Sequence, residues 1–219
     1  MHNPVKNYKD ITNLIKLKIE DKKIINFPKI IAVSKTFSLE KILPLINYGH
    51  LDYGENKVQE AIDKWTEIKN KKPQINLHLI GKLQTNKVKL ALKIFDYIHS
   101  VDNKKLAKKI AEEEAKQEKK IKIFLQVNIG NEHQKSGVDK NELVHLYNYC
   151  NELNLNVLGL MCIPPINEQP NKYFEEMSQL NKKLNLPELS MGMSSDFLKA
   201  TENHSTYLRI GSSIFGNRN

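Results

Sequence analysis

Ile30-Ile31-Ala32-Val33-Ser34-Lys35-Thr36 is a continuous apolar run of strand length that ends abruptly on a lysine. Periodicity alone leaves a strand and a buried helix both open for such a run. Its shortness and its Ile/Val content favour a strand buried on both faces. A lysine at the end of that strand lies with its four-carbon stem against the core. Its ammonium is partly desolvated, which lowers its pKa and makes the neutral amine available. A neutral amine in a pocket is what imine formation with an aldehyde requires. The alternative is a lysine that marks the strand's exit from the core and snorkels to water.

Outward from this stretch, apolar runs and helical patterns alternate. Residues 4–22 read as an opening helix, with Val5, Ile11, Leu14, Ile15 and Leu17 at mostly helical spacing. Strands are expected over 30–35, 51–55, 76–81, 97–101, 121–128, 156–163, 188–194 and 207–211. Helical segments fill 38–48, 56–70, 85–95, 103–119, 139–153, 170–184 and 196–203, with a short one from Ser212. Eight strands, each followed by a helix or helical turn, predict an α/β fold. The fold expected is a single (β/α)8 TIM-type barrel domain over residues 1–219 with an extra N-terminal helix. An open doubly wound sheet is the alternative, but eight evenly spaced units suit closure better.

Composition bounds the function. At 219 residues and 40% hydrophobic content the chain can bury a proper core. No run approaches the roughly 18 apolar residues of a membrane span, and residues 1–20 lack the apolar block of a signal peptide. Cys150 and Cys162 show neither CxxC nor Cys/His spacing, so no metal site and a cytoplasmic location are expected. The net charge of +9 invites a nucleic-acid partner, yet all but two of the 34 basic residues are lysine. Phosphate and base recognition favours the bidentate fork of arginine. The lysines of 104–122 alternate with Glu112, Glu113, Glu114 and Glu118, as on a solvated helix face. The composition therefore argues against a basic RNA-binding barrel.

In a closed parallel barrel the active site lies at the C-terminal ends of the strands. Those ends read Lys35, Glu55-Asn56, Gly81, Asp102, Asn128, Ile163-Pro164-Pro165, Ser194 and Gly211. Asp102 and Asn128 are accounted for by the polarity of strand ends in general. The loops Ser190 to Asp196 and Arg209 to Gly216 are more specific. The loops after strands seven and eight, with a short extra helix, form the recurring phosphate site of this fold. Small residues let backbone N–H groups approach an anion, and the hydroxyls of Ser194 and Ser212 can donate. For Ser195 and Asp196, helix capping is the better account. A strand-end lysine and a phosphate cradle at one mouth fit a phosphorylated aldehyde. Pyridoxal 5'-phosphate satisfies both, and so does a sugar phosphate in a Schiff-base aldolase, for which Glu55 is the only nearby acid/base.

The stretches Ala32 to Thr36, Gly54-Glu55-Asn56, His78 to Lys87, Lys135-Ser136-Gly137, Gly159-Leu160-Met161, Ser190 to Ser194 with Asp196, and Arg209 to Gly216 carry a further message. In order and content they resemble the YggS/PROSC family of pyridoxal phosphate homeostasis proteins, relatives of the barrel domain of alanine racemases. The resemblance implies that Lys35 carries the cofactor as an internal aldimine. It implies that Met193, Ser194, Gly211 and Ser212 hold the phosphate, that Arg209 faces the pyridine nitrogen, and that Asn56 and Lys135 are secondary contacts. It implies intracellular storage and delivery of the cofactor without robust catalysis, with apo-enzymes as recipients. A barrel mouth without a covering domain suggests a monomer, although a barrel flank can dimerise without leaving a mark in the sequence.

A racemase is the alternative, and it needs a second base opposite Lys35. Racemases of this type draw a tyrosine from a further domain, and the chain stops eight residues after Gly211. Tyr53 and Tyr207 lie on strands, but nothing positions either across from the lysine. The chain departs from the family where a glycine commonly precedes Ser-Thr: here Asn203-His204 stands before Ser205-Thr206. Asn tolerates a left-handed turn, so a local adjustment is expected. His204 is expected on the surface, and His78 in the core or at the bottom of the barrel.

Overall fold

Eight short runs become eight parallel strands, β1, β4 and β5 among them rich in β-branched and aromatic residues, in a computed structural model that describes residues 3–216 except His133 and Lys135. They are β1 (Lys29–Val33), β2 (Asp52–Glu55), β3 (Asn76–Leu79), β4 (Tyr97–Val101), β5 (Lys122–Val127), β6 (Asn156–Cys162), β7 (Glu188–Ser190) and β8 (Tyr207–Ile210). The strands pair in chain order and β8 returns to β1, so the sheet closes. The closing ladder runs from Lys29 opposite Tyr207 to Ala32 opposite Ile210.

Helices follow the strands as α2 (Leu39–Asn47), α3 (Val58–Lys71), α4 (Val88–Ile94), α5 (Lys104–Gln117), α6 (Leu143–Glu152), α7 (Asn171–Lys183), α8 (Phe197–Glu202) and α9 (Ser212–Phe215). Short 3-10 turns precede α4 and α6. The expected N-terminal helix is α1 (Pro4–Lys22), whose N-cap Asn3 accepts the amides of Val5 and Lys6. It packs against α8 and α9, tied by Lys18 to Glu202 at 2.7 Å and by Asn7 to the Ile214 carbonyl at 2.9 Å.

Several strands end earlier than the apolar pattern suggests. β7 stops at Ser190 because Gly192, at φ +90°, turns the chain out of the ladder. The left-handed residue before Ser205 is His204, at φ +62°, rather than Asn203. As expected, the His204 side chain is exposed.

Period-two alternation divides the strand side chains into two sets. Ile31, Val33, Tyr97, Phe124, Met161 and Tyr207 fill the lumen, while most of the apolar core lies between strands and helices. His78, His99, Ser190 and Arg209 are also buried, none more than 4% exposed. His78 stacks on Tyr97 and His99 on Phe124, each pair 4.2 Å between ring centres.

The lysine-rich composition has a structural use. Lys69 reaches the Ile94 carbonyl, and Lys119 reaches those of Leu92 and Phe95, so ammonium groups satisfy the carbonyl end of α4. On α5 the expected solvated face is only partly that. Glu113 and Glu114 are buried, and Glu114 accepts the Ile121 amide at 2.7 Å and Lys120 at 2.9 Å, pinning the entry to β5. Among the described residues no helix is long and apolar enough to cross a membrane, and no His/Cys/Asp/Glu group could hold a metal.

Two predictions test this packing. A Cβ on Gly159 would lie 1.7 Å from the Glu188 carbonyl oxygen, where β6 meets β7. Gly159→Ala is expected to cost at least about 3 kcal/mol, or to abolish folding, in urea denaturation. Burial holds His50, His78 and His99 below the ordinary histidine value, opposed at His50 and His78 by Asp52. The unfolded chain therefore binds more protons below about pH 6.5, and stability falls as pH drops through that value. The expected slope approaches about 1.4 kcal/mol per pH unit for each histidine. Denaturation midpoints between neutral pH and pH ~5, above the unfolded carboxylate range, measure it, and a flat profile would contradict it.

Candidate active site

The closing β1–β8 ladder decides what meets at the mouth. It sets the turn after β1, Ser34-Lys35-Thr36, beside the turn that follows Arg209 and Ile210. There a cleft of about 340 Å³ is lined by Lys35, Asn56, Met193, Ser194, Arg209, Gly211 and Ser212, with Val33, Ile80, Ile163 and Ser195 completing the wall. Every expected site residue lies on it except Lys135, which is outside the described residues.

Lys35 is half-buried, and its turn is held from behind. The Ser34 amide donates to the Gly54 carbonyl, and its hydroxyl donates to Glu55 Oε1 at 2.7 Å. Lys64 Nζ reaches the Ser34 carbonyl at 2.9 Å, Glu55 Oε1 at 3.0 Å and Glu60 Oε1 at 3.2 Å. Trp65 Nε1 donates to the same Glu55 oxygen. Thr36 sits at φ +67°, a strained angle for a β-branched residue, and its amide donates to Glu60 Oε1 at 2.7 Å. Burial works against ionisation of Glu60, but the Thr36 amide and Lys64 hold its carboxyl below the ordinary range. Nothing in the sequence pattern marks these α3 groups as part of the site beyond an i, i+4 Glu60–Lys64 pair beside Trp65.

Glu55 is fully buried behind the sheet and is absent from the cleft lining. It cannot serve as the acid/base of an aldolase. Tyr53 is likewise outside the lumen, its ring 4.7 Å from Trp65. Tyr207 begins β8 at the far end of the lumen, where Lys29 donates to its hydroxyl. Neither tyrosine lines the cleft.

Opposite the lysine turn, the two expected anion loops are joined: the Ser213 amide donates to Ser194 Oγ at 3.3 Å. That leaves the Ser194 hydroxyl proton available to an anion. Asp196 occupies the N-cap position of α8 but makes no cap bond there. Its carboxylate instead accepts the Met193 amide at 2.5 Å, so Met193 contributes to the wall by shape rather than through its N–H. Ser195 opens onto the cleft, which corrects its assignment as a cap. Gly81 supports the rim: a Cβ there would lie 2.3 Å from the Asn56 carbonyl oxygen. Asp102 and Asn128 organise loops, Asp102 accepting the Gly137 amide and Asn128 bonding the backbone of Glu132.

Arg209 forms the floor. It is 4% exposed, donating from Nη1 to Ser190 Oγ and from Nη2 to the Cys162 carbonyl, both at 2.8 Å. Burial pulls its pKa below the ordinary value, opposed by Cys162 and Asp196. Burial pushes the Cys162 thiol up to about 12, so it stays protonated and is no nucleophile.

A family model described as the alanine racemase N-terminal domain matches residues 18–219. The chain is 41% identical over 203 residues to the pyridoxal phosphate homeostasis protein of Aquifex aeolicus, covering 88% of each. It is similar to PipY of Synechococcus elongatus in its pyridoxal-phosphate-bound structure, with a TM-score of 0.81 and 31% identity over 93% of this chain and 100% of that one. An alanine racemase of Clostridium difficile shares the fold, with a TM-score of 0.72 at 14% identity, and the chain covers 57% of its length.

The clamp behind Lys35 is testable. Lys64→Met leaves the buried Glu55 carboxylate without its cation, at an expected cost of about 3–5 kcal/mol. Urea denaturation reads this directly, and a loss below about 1 kcal/mol, the size of a surface pair, would contradict it.

Proposed function

Since the chain belongs to the alanine racemase N-terminal-domain family, and within it to the pyridoxal phosphate homeostasis proteins, we propose that its cleft binds pyridoxal 5'-phosphate through Lys35. It stores and hands on the cofactor rather than turning over a substrate. The observation that carries this reading is the junction of Lys35, Arg209 and the Ser194/Ser212 loops in one cleft.

The lining fits the group. Lys35 supplies the amine for an aldehyde carbon. The hydroxyls of Ser194 and Ser212 and the head of α9 suit phosphate oxygens. Val33, Ile80 and Ile163 offer apolar walls for a ring. Bound there, the cofactor would supply an electrophilic carbon and an electron-withdrawing ring. Arg209 can only donate hydrogen bonds, so the ring atom it meets must accept one. A pyridine nitrogen held that way stays unprotonated, and the ring remains a weak electron sink. Asn56 lines the same cleft, and Lys135 belongs with it as a second-tier contact.

The absence of a tyrosine from the cleft lining, among the described residues, supports the non-catalytic reading. Racemisation needs a base on each face of the substrate carbon, and Lys35 serves one. Apo forms of cofactor-dependent enzymes are the recipients in this reading, and the protein acts as a monomer.

Titration of the protein with pyridoxal phosphate is expected to give a visible absorption band that borohydride abolishes. The band should be missing in Lys35→Ala. Added L-alanine should stay L by chiral chromatography. A wild-type protein with no band would overturn the cofactor reading, and rapid appearance of D-alanine would overturn the carrier role.

A further inference from the structure

Arg209 is the near end of a line of side chains that crosses the lumen. Its Nη1 lies 2.8 Å from Ser190 Oγ, which lies 2.9 Å from His99 Nδ1. His99 Nε2 lies 3.0 Å from His78 Nδ1, and His78 Nε2 lies 3.1 Å from Asp52 Oδ1. Ser190, His99 and His78 are fully buried, and the Asp52 side chain, also bonded by Asn76, is 18% exposed at the opposite end. We infer that Ser190, His99, His78 and Asp52 form a one-way hydrogen-bond relay along the barrel axis that positions the Arg209 guanidinium at the floor of the cleft.

The direction follows from the two ends. A guanidinium has no acceptor, so Ser190 Oγ must accept from Arg209. An ionised carboxylate has no donor, so His78 Nε2 must carry a proton toward Asp52. Burial would raise the Asp52 carboxyl, but its bonds to His78 and Asn76 and the nearby histidines hold it below the ordinary range, so it is the acceptor. A neutral His78 is then an acceptor at Nδ1, and His99 must donate from Nε2. That leaves His99 Nδ1 to accept the Ser190 hydroxyl. Reversing any link sets lone pair against lone pair at Asp52 or demands a second proton on a buried ring. Stacking on Tyr97 and Phe124 fixes both ring planes.

At the end of the barrel away from the cleft, the exposed Lys29 and Lys122 bond the Tyr207 and Tyr97 hydroxyls. Asp196 is the carboxylate whose charge favours the buried guanidinium, and the relay orients that guanidinium through neutral groups that end on Asp52. Ser190, His99 and His78 are positioning residues. Their effect on the cofactor rests on the reading above, whereas the relay itself does not.

Side-chain 15N–1H spectra of the unliganded protein at neutral pH test the relay without any cofactor. His78 and His99 are expected as neutral Nε2–H tautomers. The chain has only two arginines, Arg209 and Arg218, so the Arg209 guanidinium signals are separable. They should show slow Nη rotation in the wild type and averaging in Ser190→Ala. An Nδ1–H tautomer in either ring, or an imidazolium at His78, overturns the relay. A guanidinium that stays slow in Ser190→Ala overturns the positioning role.

In the cofactor titration, Ser190→Ala and His99→Phe should each weaken binding about tenfold or more, as for a lost hydrogen bond to a charged group. The double variant should be no worse than the weaker single one, because the residues act in series. Additive losses overturn the series. If His99→Phe does not fold, the tautomers and Ser190→Ala still decide. A wild type that binds no cofactor refutes the function of the cleft, a result distinct from the tautomers.

Discussion

Closure of the sheet between β1 and β8 is the constraint on which the site depends. Four paired residues, Lys29 to Ala32 against Tyr207 to Ile210, join the two ends of the barrel. Only that ladder brings Lys35 beside Arg209 and the Gly211-Ser212 turn. Because side chains alternate along a strand, a slip of one residue would send Arg209 out of the lumen and into the helix layer. The register is therefore fixed by the same burial that builds the core.

Two unrelated supports then hold the site from opposite sides. Outside the barrel, α3 grips the lysine turn through Lys64 and Glu60, and Glu55 completes the grip from the end of β2. Inside it, polar side chains rather than apolar ones carry Arg209. A barrel lumen is normally filled by branched aliphatic residues. Here part of that volume is given to groups that must all be satisfied, which costs packing freedom but leaves each partner a single allowed role. The strained Thr36 conformation lies at the same place, where the surrounding contacts over-determine the backbone.

The barrel is legible because its strands are short, regularly spaced and, at β1, β4 and β5, rich in β-branched residues, and because α1 shows helical periodicity. The cleft was legible because its residues cluster at strand ends in recognisable runs. What escaped the reading has physical reasons. Strand ends were overestimated where Gly192 leaves the ladder, since an apolar residue in a rim loop looks like one in a strand. Glu55 reads as a rim residue from its place at the end of β2, although alternation from a lumen-facing Gly54 turns it outward. Lys64 and Glu60 resemble any exposed i, i+4 pair until α3 is docked. The line from Asp52 to Arg209 draws one residue from each of five strands. No spacing in a linear sequence encodes it, because it exists only once the barrel register is set.

α1 precedes every strand in the chain, yet it packs against α8 and α9, which follow β7 and β8. During synthesis α2 can cover part of its inner face early, but the part that meets α8 and α9 must wait until all eight strands have left the ribosome. The lysine turn waits equally long for Arg209 and Ser212. Such long-range contacts make for slow folding and a lengthy exposure of incomplete intermediates. A ligand gripped by both halves of the cleft would then act as a late clasp on the finished barrel, holding the first and last strands together by mass action. The concentration of free ligand, measured against its dissociation constant, would thereby set how firmly the first and last strands stay joined.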